Sequence, residues 1–231
     1  MSTFNKGSWL GLAAIAAVVL VPETASRAQD DVEWVTTSRG RYEFAIGVNS
    51  WPGLADLDAA RDGEFDAVGF NINFAAHWPV KRFAGSELLA GLDLGLFTND
   101  SDIRFISESI TARNGYLVPS VKWMFGETHR YSLDAGLGYY LQDIAEVVTA
   151  YPFYGETKLW EQGAAGGYLG ATIDFGGGDP MKSRGFMMSL KVHFMDFGMV
   201  QDEGRLPPTL GPDAGQLSGP VYVYQVGYRW R

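Results

Sequence analysis

The sequence predicts an all-β fold: an eight-stranded antiparallel transmembrane β-barrel, an up-and-down meander with short periplasmic turns and long extracellular loops. Three observations predict it. Eight runs alternate apolar and polar residues with period two, the repeat of a strand whose faces differ. Each run has about the ~9–11 residues that a tilted strand needs to cross a bilayer. The connections between runs are alternately short and long, as expected when the two rims of a barrel face different compartments.

The first 28 residues read as a segment that precedes the mature fold. Lys6 gives a positive start, "WLGLAAIAAVVLV" (9–21) is apolar, and "SRA" (26–28) sets small residues at both recognition positions of a signal peptidase. Cleavage after Ala28 leaves Gln29 at the new terminus and residues 29–231 as one barrel domain. The apolar run is shorter than the ~20 residues of a spanning helix. With no cysteine in the chain, a lipid-anchored terminus is excluded and folding needs no oxidation. Of 18 basic and 27 acidic residues, the leader holds Lys6, Arg27 and Glu23, so the remainder carries 16 and 26, a net charge of −10. Such a chain is a poor ligand for nucleic acid or anionic head groups.

Taken in order, the expected strands are 41–49, 67–78, 87–97, 116–125, 131–142, 165–175, 185–197 and 220–230. The connections 79–86, 126–130 and 176–184 are short; 50–66, 98–115, 143–163 and 198–219 are long. With an even strand count both termini fall on the periplasmic side. Pro119 lacks a ladder donor and predicts a bulge in the fourth strand.

One face of these strands gathers Phe44, Ile46, Phe70, Ile72, Leu92, Leu94, Trp123, Leu133, Phe186 and Leu190 with others of their kind. The opposite face is rich in glycine and carries Glu43, Asn71, Asn73, Asp93, Lys122, Asp134, Asp174, Lys191, His193 and Arg229. Alternation alone does not say which face is inside. An eight-stranded barrel encloses too little volume for so many Phe, Leu, Trp and Tyr side chains. The second face is also too thin in Lys and Glu for a water-washed surface. The polar set therefore belongs to the lumen, as a charge-paired plug, and the apolar set faces lipid. In lipid every backbone group must be paired, so the last strand must meet the first.

At this point the chain resembles the small OmpA/OmpX-type outer-membrane barrels of Gram-negative bacteria, over the whole of residues 29–231. The closing "GYRWR" is similar to the C-terminal recognition segment of such proteins, with Tyr228 and Trp230 at alternate aromatic positions and Arg231 as one extra residue. The resemblance implies a monomer in the cell outer membrane. Its partners would be membrane lipids and lipopolysaccharide, periplasmic chaperones and the barrel-assembly machinery, with no nucleic acid and no cofactor.

Catalysis has one weak candidate. Outer-membrane lipid A deacylases are also eight-stranded barrels and look similar in placing a His, then two residues on a Ser, then Asn, near the top of a late strand. Here "VHFMDFG" (192–198) has His193, but Met195 and Asp196 stand where that Ser and Asn belong. Met is no nucleophile. His77, read at the junction of the second strand and its turn, and His129, in a short turn, are too scattered for a metal site. "GGG" (176–178) is a turn with no helix after it to bind phosphate. The long connections are the other place for function. Tyr151, Phe153, Tyr154 and Trp160 in the third either bind a surface or small molecule, or complete the aromatic girdle. Three functions follow: a non-enzymatic barrel with a plugged lumen that is structural or binds through its loops; a lipid A acyl hydrolase; or a narrow conduit or binder for small apolar molecules.

Overall fold

The computed structural model describes residues 33–34, 40–52, 64–65, 68–83, 85–103, 108–125, 130–148, 155–175, 184–201 and 213–230. Eight long antiparallel strands form a closed ring in chain order: β2 (Arg41–Ser50), β4 (Val68–Phe83), β5 (Ser86–Ile103), β6 (Glu108–Phe125), β7 (Tyr131–Val148), β8 (Gly155–Phe175), β9 (Gly185–Gln201) and β10 (Asp213–Trp230). β10 returns to β2 in unbroken register from Tyr222↔Ser50 to Trp230↔Tyr42, which seals the ring. Two short pieces sit outside it. β1 (Glu33–Trp34) pairs with Arg82 and Lys81 of β4, and β3 (Glu64–Phe65) pairs with Asp102 and Ser101 of β5.

The expected strand starts and stops at the short-turn rim agree with the structure to within a residue, apart from the β4–β5 turn. There the expected turn 79–86 is mostly strand: β4 runs on to Phe83, paired with Ser86, and Gly85 takes the left-handed conformation at φ 74° that a tight turn requires. Pro79 is the first residue of that expected turn. It is accommodated because the register slips by one residue between Pro79 and Lys81, and a bulge needs no donor at that point.

Pro119 behaves differently, and the bulge expected there is absent. Its pairing with Leu92 of β5 is regular, and the register to β7 resumes unshifted from Leu117↔Tyr139 to Ser120↔Gly136. The missing N–H faces β7, where the ladder simply skips the Val118 and Pro119 positions.

At the opposite rim the strands are longer than expected. Much of the long connections at 98–115, 143–163 and 198–219 is strand, with β5 and β6 paired out to Ile103↔Glu108 and β7 and β8 to Val148↔Gly155. An 18-residue strand such as β6 is roughly 60 Å long at ~3.3 Å per residue, whereas a band ~25 Å tall takes about ten tilted residues. The hairpins therefore stand well clear of the apolar band. β2 is the exception, with only 10 residues.

The inside and outside of the ring follow the expected faces. Phe186 is 68% exposed and Lys191, on the same strand, 3%. Phe44, Phe70, Leu94, Leu117, Leu169 and Val226 project outward from six other strands, all exposed. This is the reverse of a water-soluble protein, in which large contiguous apolar surface is rare. The ring needs glycine where strands press together. A Cβ on Gly47 would lie 1.8 Å from the Tyr224 carbonyl oxygen across the seam, both being backbone-fixed positions. Gly47→Ala is therefore expected to lower the unfolding free energy by about 1–3 kcal/mol or more, as overpacking does. Gly115→Ala, whose Cβ meets nothing within 4 Å, serves as the control in the same urea titration.

Candidate functional site

The lumen is layered. Nearest the short-turn rim lies an ionic layer. Arg41 bonds Glu43 on its own strand, and its Nη2 donates to Asp174 Oδ1 at 2.9 Å. Arg229 Nε donates to the same oxygen at 2.7 Å. Lys122 Nζ donates to both oxygens of Glu43 at 2.6 and 2.7 Å and lies 3.7 Å from Asp134. Ser132 and Thr172 donate to Asp134 at 3.3 and 3.2 Å. Five strands, β2, β6, β7, β8 and β10, meet in this one layer because alternate residues of every strand point to the axis of a narrow ring.

A second layer centres on Asp93. Lys191 forms an ion pair with it, Asn73 Nδ2 donates to it, and the Tyr168 hydroxyl donates to its Oδ2 at 2.8 Å. Lys191 Nζ also donates to Asn73 Oδ1 at 3.2 Å and lies 4.7 Å from the centre of the Tyr168 ring. To one side Gln225 Nε2 donates to Asn71 Oδ1 at 2.8 Å, and Gln225 Oε1 accepts from Ser189 Oγ at 3.0 Å. All ten polar positions assigned to the lumen from the sequence, Glu43, Asn71, Asn73, Asp93, Lys122, Asp134, Asp174, Lys191, His193 and Arg229, are buried inside the ring. The two layers hold four cations, Arg41, Lys122, Lys191 and Arg229, against four carboxylates, Glu43, Asp93, Asp134 and Asp174. Glu87, buried nearer the rim, pairs with Arg82 at 3.0 Å.

Sequence reading missed two groups here. Arg41 shares the inward parity of Glu43 and was legible on that ground. Tyr116, Tyr140 and Tyr168 were not named, although as neighbours of the outward Leu117, Tyr139 and Leu169 they share the inward parity, and all three are buried in the lumen. They fit because glycines lie beside them; Gly136 and Gly166 have no room for a Cβ next to Tyr168 and Tyr140.

These tyrosines enclose His193. Its ring lies 4.9 Å from Tyr116, 5.2 Å from Tyr168, 5.7 Å from Phe97 and 5.8 Å from Tyr140, between centroids. Nδ1 is 2.9 Å from the Tyr140 hydroxyl, and Nε2 is buried with no partner. No Ser, Asp or Glu among the described residues bonds this histidine. Met195 points into the lumen and Asp196 outward, so neither completes a hydrolytic set.

A serine–histidine pair does exist elsewhere. His77 lies inside β4, well before the strand's end, with Nε2 2.9 Å from Ser120 Oγ. Its Nδ1 is buried without a partner, so no carboxylate orients the ring, and both side chains are buried away from lipid. A working nucleophile needs a positioned base and a reachable substrate; this pair has neither. No cluster of His, Asp and Glu with metal-binding geometry occurs among the described residues.

Beyond His193 toward the long-connection rim the lumen is aromatic, then amide-lined. Trp51 lies 6.4 Å from both Phe97 and Phe197. Asn49 Nδ2 donates to Asn99 Oδ1 at 2.7 Å, and Asn114 and Gln142 face each other across β6 and β7.

On the outer surface the closing strand supplies part of an aromatic girdle. Trp230 stacks on Tyr42 at 6.0 Å and approaches Phe74 at 6.2 Å, and Tyr228 meets Phe186 edge-on at 5.6 Å. Of the loop aromatics, Tyr151, Phe153 and Tyr154 lie outside the described residues, as do His129, Arg231, residues 176–178 and the leader 1–28. Trp160 is not in a loop; its backbone belongs to β8, opposite Ile144 of β7.

A closed ring with an apolar, aromatic-rimmed exterior and a polar, ion-paired interior defines a transmembrane β-barrel. No protein family matches the chain, and no curated protein matches it in sequence. Among solved structures it is similar to Neisserial surface protein A, at 8% identity over 83% of this chain and 98% of that one, with a TM-score of 0.39. It is also similar to the attachment invasion locus protein Ail of Yersinia pestis, at 9% identity over 84% and 100%, TM-score 0.38. The translocator domain of the autotransporter NalP from Neisseria meningitidis matches at 10% identity over 97% and 98%, TM-score 0.27.

Proposed function

We propose that the chain is a monomeric integral protein of the outer membrane, exported by the leader 1–28, with a plugged lumen and no enzymatic activity. Its role is structural, or it binds at the cell surface through the long connections. The observation that carries this reading is the lumen itself, where four buried cations meet four buried carboxylates in the layers between the short-turn rim and His193. Burying charge is costly unless it is paired, and the pairing supports a packed, ion-tight interior. The exposed apolar girdle supports contact with lipid and lipopolysaccharide, and Tyr228 and Trp230 on the closing strand support recognition by the assembly machinery.

Two measurements test this. Unheated protein is expected to migrate at a different apparent mass from boiled protein on a detergent gel, and equal migration counts against a folded barrel. Reconstituted in a planar bilayer, the chain is expected to show no steady conductance at 100 mV, on the order of the potentials that drive ions through membranes. A stable single-channel current would refute the plug and leave the membrane barrel standing.

A further inference from the structure

The net negative charge of the chain hides where its charges point. Among the described side chains on the outer wall, charges stand only near the two rims. Near the long-connection rim these are Asp143, Glu161 and Asp196, with Arg113 3.9 Å from Asp143. Near the short-turn rim both outward charges are cations. Lys81 of β4 pairs with the outward Leu88, which gives it the same face, and its Nζ lies 5.2 Å from the centre of the exposed Phe83 ring. Arg184 immediately precedes β9, beside the buried Gly185, so it shares the outward parity of Phe186, and it is exposed. The carboxylates of the long strands nearest this rim, Glu43, Glu87 and Asp174, are all buried on the lumen side, where cations already hold them.

Lys81 and Arg184 frame one patch. In the order of the ring β2 and β10 lie between β4 and β9, so three strand spacings, roughly 14 Å at ~4.8 Å each, separate their strands. Between them the wall is aromatic. Tyr42 meets Trp78 edge-on at 6.2 Å and stacks on Trp230 at 6.0 Å. Arg184, one residue beyond the Gly185↔Arg229 pair, is level with Trp230. Tyrosine and tryptophan settle where hydrocarbon meets head groups, each with a polar atom to offer there. Lysine and arginine lay their stems along apolar surface and hold their charge in the head-group layer. Two cations on a wall with no described carboxylate beside them attract phosphate and leave a carried negative charge unopposed. We propose that this patch, across the seam of the barrel, binds the head group of an anionic phospholipid in the leaflet at the short-turn rim. The proposal rests on the outer-membrane reading above, which turns that rim toward the periplasm and so toward phospholipid and away from lipopolysaccharide.

The test refolds the full chain into vesicles of equal parts phosphatidylglycerol and phosphatidylcholine, extracts it in mild detergent and counts retained lipid by native mass spectrometry. Phosphatidylglycerol is expected to be retained about fivefold over phosphatidylcholine, the gain from one cation at an anionic surface. Lys81→Gln/Arg184→Gln is expected to bring the two lipids to equality, and Asp196→Asn, near the opposite rim, to leave the preference unchanged. Should the double variant not fold, the wild type decides: salt at about 1 M, which screens charge beyond ~3 Å, is expected to abolish the preference. Equal retention by the wild type, or a preference that survives the double substitution or the salt, overturns the proposal. Heat-dependent gel migration of the same samples reports separately whether the barrel has formed. The leaflet is read in cells, since the chain has no cysteine of its own. Gly155→Cys, at an exposed position of the far hairpin where a Cβ meets nothing within 4 Å, is expected to react with an impermeant maleimide in intact cells. Ser86→Cys, at the short-turn rim, is expected to react only after the outer membrane is opened. The reverse result turns the patch toward lipopolysaccharide and overturns phospholipid as its ligand.

Discussion

Asp93→Ala is expected to destabilise the barrel by about 3–5 kcal/mol, the loss seen when one member of a buried ion pair is removed. Asp93 is the acceptor on which Lys191, Asn73 and Tyr168 converge. Its removal leaves the Lys191 ammonium with Asn73 Oδ1 as its remaining hydrogen-bond acceptor, in a site only 3% exposed. Adding Lys191→Met to the same chain removes the stranded charge and fills similar volume. The double variant is then expected to recover most of the loss, because replacing a buried pair by apolar groups is often close to neutral. Urea unfolding in detergent, followed by tryptophan fluorescence, reads both. If the single and double variants lose the same stability, the cost lies in packing around Asp93 and the ionic account of this layer is wrong.

Leu92→Arg is expected to cost about 2–4 kcal/mol in lipid vesicles, the penalty for a cation at the midplane on the outer face of a membrane barrel. Leu92 is 45% exposed and central in the outward series Leu88, Ala90, Leu92, Leu94 and Leu96 of β5. The same charge at Thr98, six residues nearer the long-connection rim on the same outward parity, is expected to cost about 0–1 kcal/mol, since the penalty falls toward the interface. Equal costs at the two positions would mean that the apolar band is not where lipid lies.

How much of this was legible in the sequence depends on which rim is considered. Where the strands cross an apolar medium, one face must be apolar, and the period-two pattern is forced. Phe186, Met188, Leu190 and Phe194 announce β9 in this way. Beyond the band nothing forces the outward face, so 98–103 and 108–115 carry no alternation and read as loop, although their backbones pair throughout. The lumen was legible in its charges, because a charged residue on the minority face has few places to go. It was not legible in its pairing, which joins Glu43 to Lys122 and Arg41 to Asp174 across the ring. Nor did the sequence signal that glycines at 136 and 166 make room for inward tyrosines. The His77–Ser120 contact was hidden for the same reason: the two residues are brought together by the small diameter of the ring and by no motif.

The shortness of β2 bears on how deeply the molecule can be immersed. Above the pair Tyr222↔Ser50, the edge of β10 that faces β2 has no strand beside it among the described residues, although β10 continues to Asp213 along β9. Unpaired peptide groups are not tolerated in hydrocarbon, and among the described residues the β2–β10 seam is paired up to the level of Ser50. The 10 residues of β2, at ~3.4 Å each and a tilt of ~40°, climb roughly 26 Å, close to the ~25 Å height of an outer-membrane apolar band. The shortest stave of the barrel thus acts as a draught mark. Its upper end is level with the start of β4, whose Val68 lies opposite Ser50, while the other six long strands run on past that level.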